Sequence, residues 1–184
     1  MFRPPVYAPL SVPECKARAQ APAPALIRRM AAFVYEGVLL FGLVMAVGLV
    51  FGVLADQRHG LSHRAGLQVA LFLALALYFI GFWLKNGQTL AMKTWHLKLV
   101  QANGMNPSPM QAALRFVASW LWFLPSLLLS YLAQWHQTSQ IMAMLAIWVV
   151  VYASLCLLLP RRQFLHDLLV GTRLIDTRND THTP

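Results

Sequence analysis

Hydrophobic residues run almost unbroken through four stretches of the chain, residues 30–55, 66–84, 111–133 and 141–160. Each is close to the roughly 20 apolar residues that an α-helix needs to cross about 30 Å of hydrocarbon. The pattern predicts an all-α membrane protein with four transmembrane helices. Pro125 lies inside the third stretch, where a missing N–H and a ring clash with the preceding turn predict a kink. Only residues 134–140, short and uncharged, separate the third and fourth stretches, so these helices should form an antiparallel hairpin.

The polar segments carry a second pattern. In Lys93-Thr-Trp-His-Leu-Lys-Leu-Val100, Trp95, Leu97 and Leu99 alternate with Thr94, His96 and Lys98, and Asn103-Gly104 follows as a turn signal. Residues 172–177 alternate again, and the two segments are expected to pair as a small two-stranded sheet. Ser108-Pro109-Met110-Gln111 has the residues of a helix start, with Ser as N-cap, Pro in the first turn and Gln closing a capping box. Residues 162–170 predict a short amphipathic helix at the membrane surface, stopped by Gly171. Residues 1–27 hold six prolines and read as an extended, mobile Pro/Ala-rich tail. They lack the apolar core of a cleavable signal peptide, so the first apolar stretch is expected to act as an uncleaved signal-anchor. Residues 178–184 read as a second flexible tail.

Composition supports the membrane reading. Only 11% of residues are charged and 58% are hydrophobic, with mean hydropathy +0.55, against about 25% charged in soluble domains. The net charge of +9 suggests nucleic acid until its placement is considered. With the N-terminus in the cytoplasm, thirteen of the fifteen Lys and Arg fall on the inner side, and only Arg58 and Arg64 fall outside. That is a positive-inside bias, explained by orientation and by anionic headgroups, and no basic-aromatic module stands apart from the apolar stretches. Membrane lipid is therefore the expected partner, and nucleic acid is not. Trp83 beside Lys85 suits a headgroup boundary. Cys15 and Cys156 lack metal-ligand spacing, and Cys156 reads as small apolar filler.

The residue that most needs explaining is Glu36. It lies seven residues beyond Arg29, about 10 Å deeper along a helix and near the same face. An ionised carboxylate at that depth costs around 2–3 kcal/mol or more, so it should be protonated, paired, or facing a wet cavity. Arg115, at the inner end of the third stretch, is the expected partner from another helix. Such a pair would serve either to set helix register or to bind a proton or cation on a transport route. His166 and Asp167 sit side by side after Arg161-Arg162. Asp167 is expected to pair with Arg161, Arg162 or Lys93 and tie the C-terminal segment to the inner loop, in preference to tuning His166 as a pH sensor. His59 and His63 have i, i+4 spacing beside Gly60 and Ser62, which disfavour a helix, so no metal site is assigned. No nucleophile elbow, phosphate loop or paired-His motif is present. Neither an enzyme nor a cofactor is expected.

Four motifs in order now point to a family. Arg28-Arg29-Met-Ala-Ala-Phe-Val-Tyr-Glu36 resembles the opening of the RDD family of bacterial membrane proteins. Gly87-Gln88-Thr89-Leu-Ala-Met-Lys93 with Leu97-Lys-Leu-Val100 resembles its inner-loop motif, and Ala113-Leu-Arg115-Phe116 its entry to the next helix. Leu165-His166-Asp167-Leu-Leu-Val-Gly171-Thr172 resembles its C-terminal motif. The resemblance places the family's Arg at Arg29 or Arg28, its second Asp at Asp167, and its first Asp at Glu36, one methylene longer; Ala91 stands where the family often has Gly. It implies a membrane domain over residues 28–177 in the bacterial inner membrane with both termini cytoplasmic. For some members it implies transport, including cation–proton exchange. Four helices are few for an alternating-access transporter, so a homo-oligomer or another membrane protein is the expected partner. The competing expectation is a structural or accessory protein whose buried charges hold helices together or bind a partner.

Overall fold

A computed structural model describes residues 11–54 and 64–178. The elements in chain order are α1 (Val12–Gln20), α2 (Leu26–Leu54), α3 (Arg64–Asn86), α4 (Leu90–Thr94), β1 (Leu97–Gln101), α5 (Pro109–Ser119), α6 (Leu124–Leu132), α7 (Thr138–Leu155), α8 (Leu165–Val170) and β2 (Thr172–Asp176). Helices α2, α3 and α7 are each long and apolar enough to span a membrane, and α5 with α6 passes the same test only as a pair bent by 42°, the geometry of a broken span or a re-entrant loop. The long apolar faces of these helices stay exposed, as at Phe41, Leu49, Leu77 and Ile147. That is the expected surface for a protein whose solvent is lipid. The chain is an all-α membrane protein carrying one small sheet.

The bend has an identifiable cause. Pro125 sits in the first turn of α6, after a single 3-10 turn at Trp120–Trp122. A proline frees the carbonyl four residues back, here that of Leu121, and the Trp148 indole N–H of α7 donates to it at 3.0 Å. One tertiary contact thus satisfies the acceptor the kink exposes and fastens α7 to the break.

The buried charged residues lie toward one end of the bundle. There β1 and β2 pair antiparallel, with Leu97 opposite Asp176, Leu99 opposite Leu174 and Gln101 opposite Thr172. The pairing anticipated from the sequence is realised, with β1 starting four residues after the start of the 93–100 segment, but the alternation holds only over Leu97–Leu99, and β2 is buried on both faces from Thr172 to Ile175. Leu97, Leu99, Val100 and Ile175 are buried. Gln163 is also buried, and its side chain pairs with the Leu174 backbone in both directions, accepting from N–H at 2.9 Å and donating to C=O at 3.1 Å. It acts as one more rung of the ladder. The Ser108 capping box with Gln111 forms as expected. Gly171 ends α8 in the left-handed conformation at φ 70°, which glycine adopts without strain.

Three expectations need correction. Residues 12–20 of the proline-rich tail form α1, not an extended segment. Pro13 falls in the first turn, where a missing N–H is harmless, and Ser11 and Glu14 close a capping box. Arg173 of β2 then holds the helix end, donating to the Ala19 carbonyl and, at 2.6 Å, to that of Ala21. Trp83 is not a boundary residue; it is buried, with the Arg115 guanidinium 4.4 Å from its ring centroid. The segment at 162–170 is helical only over Leu165–Val170, and its polar residues His166 and Asp167 face the protein interior while Leu169 is exposed, the reverse of a helix that turns its polar side to water. His59, His63, Arg58, residues 1–10 and residues 179–184 lie outside the described residues.

Candidate functional site

The inner face of α2 presents Arg29, Ala32 and Glu36. Their spacing of three and four places them in one row, and the small Ala32 lets the neighbouring aromatics close in. Phe33 stacks on Trp122 with centroids 4.8 Å apart, and Trp122 meets Tyr152 at 4.7 Å and Phe164 at 5.2 Å. Between this row, α3 and α5 lies a cavity of about 350 Å³. Arg29, Glu36, Thr89, Arg115 and His166 all contribute to its lining, among walls formed by Phe33, Leu40, Leu75, Phe79 and Phe116. Four of the five ion-binding candidates therefore converge on one space, and the fifth, Asp167, stands behind it.

Glu36 is only 9% exposed, yet it is not paired with Arg115 as expected. Its Oε1 accepts from the Tyr78 hydroxyl at 2.6 Å, and its Oε2 accepts from the Thr89 hydroxyl. Among the described residues no cation lies within ion-pair distance of it. Thr89 is held in place by its own backbone surroundings. It is the N-cap of α4, and its Oγ1 also accepts from the Met92 N–H at 3.2 Å. The preceding motif residues explain why the turn reaches Glu36. Gly87 has φ +69°, and a Cβ there would come within 2.5 Å of the Leu99 carbonyl. Its own carbonyl accepts from the Leu99 N–H at 2.7 Å, and Gln88 donates to the Leu97 carbonyl at 2.7 Å. The Gly-Gln-Thr turn is thus sewn to β1 while Thr89 points inward.

Arg115 has a different partner. Its Nε donates to Asp167 Oδ1 at 2.7 Å, and both side chains are buried. An Nη2 lies 3.4 Å from His166 Nε2. Asp167 therefore pairs with none of Arg161, Arg162 or Lys93. Those three side chains are exposed, whereas α5 and α8 pack together and bring Arg115 inward. Burial pushes the Asp167 carboxyl up, but Arg115, His166 and the Thr172 hydroxyl, 3.4 Å away, outweigh it and hold the group below the usual carboxylate range. Its Oδ2 meets no donor among the described residues. His166 is pushed down to about 4, first by burial and then by Arg115, against the pull of Asp167. The imidazole is neutral at physiological pH, with Nδ1 2.9 Å from the Tyr152 hydroxyl, which also accepts the His166 backbone N–H at 3.2 Å. A histidine so held is packing and hydrogen bonding, not a pH sensor near neutrality.

Arg29 is 3% exposed. Nη1 donates to the Arg162 carbonyl at 2.8 Å, Nη2 lies 3.7 Å from Cys156 Sγ, and the guanidinium carbon sits 4.7 Å over the Phe164 ring. Nε has no partner and no carboxylate is within ion-pair distance among the described residues. Its neighbour Arg28 faces the other way, pairing with Asp176 and donating to the Trp95 carbonyl. Arg28 thus ties α2 to the sheet, and Arg29 belongs to the cavity.

The sequence reading missed Tyr78 and Tyr152, which supply the hydroxyls to Glu36 and His166. A signal was available: a phenol inside an apolar helix seeks a partner for its O–H. Which partner it finds depends on helix packing.

The model of the RDD family matches residues 23–171, most of the chain. No curated protein and no solved structure matches. The matched span begins after α1 and ends at Gly171, so it covers the cavity-lining row of α2, the Gly-Gln-Thr turn and the Arg115–Asp167 pair.

Proposed function

The chain belongs to the RDD family, and within it we propose that this protein is a transport protein taking up a proton or a small cation at Glu36. The observation that carries the reading is a carboxylate on a membrane-spanning helix, facing a cavity, whose oxygens are held by two hydroxyls instead of a cation. A permanently charged partner would pin the carboxylate in one state. A hydroxyl serves as donor to a carboxylate and as acceptor from a carboxyl, and its oxygen can join the carboxylate around a hard cation. The same three side chains therefore accommodate the empty and the loaded site. Intramembrane carboxylates commonly mark such routes. The charge bias supports a bacterial inner-membrane location with both termini in the cytoplasm. Because paired repeats are the common basis of alternating access, we take the working unit to be a homo-oligomer or a complex with another membrane protein. The reading involves no enzymatic step.

A structural role is the second reading. Its support is the Arg115–Asp167 pair, which joins α5 to α8, together with the two bonds by which Glu36 joins α2 to α3 and the α4 cap. The discriminating experiment is cation-driven proton movement in inverted membrane vesicles, comparing the native protein with Glu36→Gln at equal insertion. Exchange in the native protein that is lost in the variant is the expected result. No exchange above empty vesicles with any of Na⁺, K⁺ or Li⁺ would overturn the transport reading and leave the structural one.

A further inference from the structure

Arg29 poses a problem that Glu36 does not solve. A buried guanidinium without a carboxylate partner is costly; Arg29 lines the cavity, its Nε has no hydrogen-bond partner, and no carboxylate among the described residues pairs with it. The second cation there, Arg115, is already neutralised by Asp167. When Glu36 is loaded with a proton or cation, the cavity is left with a net positive charge. We propose that the cavity holds the anionic headgroup of a membrane lipid against Arg29, with the start of an acyl chain along its apolar wall.

Three observations favour a lipid over a free anion. The volume, about 350 Å³, lies within the roughly 300–1,000 Å³ of ligand sites, which are typically apolar with a few placed polar groups. The wall beyond Arg29 is hydrocarbon and aromatic, formed by Phe33, Leu40, Leu75 and Phe79, and offers a free phosphate nothing. The lining also includes Val34, 66% exposed, and the exposed Gly37, both on α2. The cavity therefore reaches the lipid-facing surface of that helix, and a chain can enter from the bilayer without crossing a polar barrier. A guanidinium suits the headgroup because it keeps its positive charge when buried and its N–H groups make charge-assisted hydrogen bonds to phosphate oxygens. The space beside Gly37 is open, since a Cβ built there meets nothing within 4 Å, so a larger side chain at this lining position has room to fill it.

Lipid binding at Arg29 goes beyond transport at Glu36 and is tested separately. The full chain, extracted with equimolar phosphatidylglycerol and phosphatidylcholine of matched chains, would be examined by native mass spectrometry. The expected result is one retained phosphatidylglycerol per chain, favoured by roughly tenfold over phosphatidylcholine, equivalent to about 1.4 kcal/mol. Arg29→Gln should bring the two lipids to parity. Gly37→Leu should lose retention while every charge remains, and it decides the matter if Arg29→Gln fails to fold. Glu36→Gln should retain the lipid while losing exchange, which separates the two proposals. Equal retention of both lipids by the native protein, or unchanged preference in Gly37→Leu, would overturn the proposal. So would inorganic phosphate alone raising the melting temperature as far as phosphatidylglycerol does, since the site would then take a free anion.

Discussion

Glu36 on α2 and Asp167 on α8 are both buried acids near the same end of the bundle, and they are held by opposite means. Asp167 is 0% exposed and meets a guanidinium, a threonine hydroxyl and a neighbouring imidazole. Glu36, among the described residues, is hydrogen-bonded by two hydroxyls, has no cation within ion-pair distance, and faces a cavity. A carboxylate locked to Arg is held charged, and so serves to join elements. A carboxylate held by neutral donors keeps the freedom to change its charge. Burial alone does not separate a structural acid from an exchangeable one; the charge of its partners does.

The comparison breaks most sharply at the ion pair. Asp167→Ala leaves Arg115 buried without its counter-charge and should destabilise the protein by about 3–5 kcal/mol, seen as a large fall in the thermal unfolding midpoint in detergent. Arg115→Met combined with Asp167→Leu removes both charges and should recover much of that loss. Recovery no better than the single variant would mean that the pair itself, and not the orphaned charge, carries the stability.

Acidification probes the same cluster through His166. Its pKa is about 4 in the folded protein against 6.5 in the unfolded chain. Between those values the unfolded chain binds the extra proton, so stability is full above about pH 6.5 and falls as pH drops toward 4. Asp167, whose folded pKa lies below 3.8, loses its contribution only below that value. Unfolding midpoints measured from pH 7 to pH 4 should therefore decline, and His166→Gln should flatten the decline. An unchanged slope in that variant would remove His166 as its source.

Effects at the Glu36 end should be smaller in stability and larger in transport. Thr89→Val removes the donor to Glu36 and the acceptor for the Met92 N–H, a loss of about 1–3 kcal/mol. Glu36→Gln keeps most of the hydrogen bonding and should cost about 1 kcal/mol or less, while abolishing exchange. A collapse in stability as large as that of Asp167→Ala would erase the distinction between the two acids. A last test lies at the bend, away from both acids: Trp148→Phe orphans the Leu121 carbonyl and should cost about 1 kcal/mol with exchange unchanged.

The features legible in the linear chain are those governed by near neighbours. Three spanning helices and a fourth, bent pair follow from runs long enough to cross hydrocarbon, and the bend follows from Pro125. The start of α5 follows from Ser108 and Gln111, and the stop of α8 from Gly171. The strand pair was visible because alternation at Leu97, Leu99, Leu174 and the residues between them is a local pattern. The helix at Val12–Gln20 was hidden because proline content outweighed its capping box. Glu36, Arg29, Arg115, His166 and Asp167 stood out as unusual residues for their positions, because an ionisable group beside long apolar runs is conspicuous whatever surrounds it.

Which of them touch was settled by packing. Arg115 had two carboxylates within plausible depth, and α5 packing on α8 gave it to Asp167. That left Glu36 to Tyr78, 42 residues away, and Thr89, 53 residues away, and left Arg29 beside a cavity with no carboxylate partner among the described residues. Depth and helical face come from rise and periodicity along one chain segment. A partner's identity comes from how separate helices cross, and small differences in crossing move a long side chain from one acceptor to another.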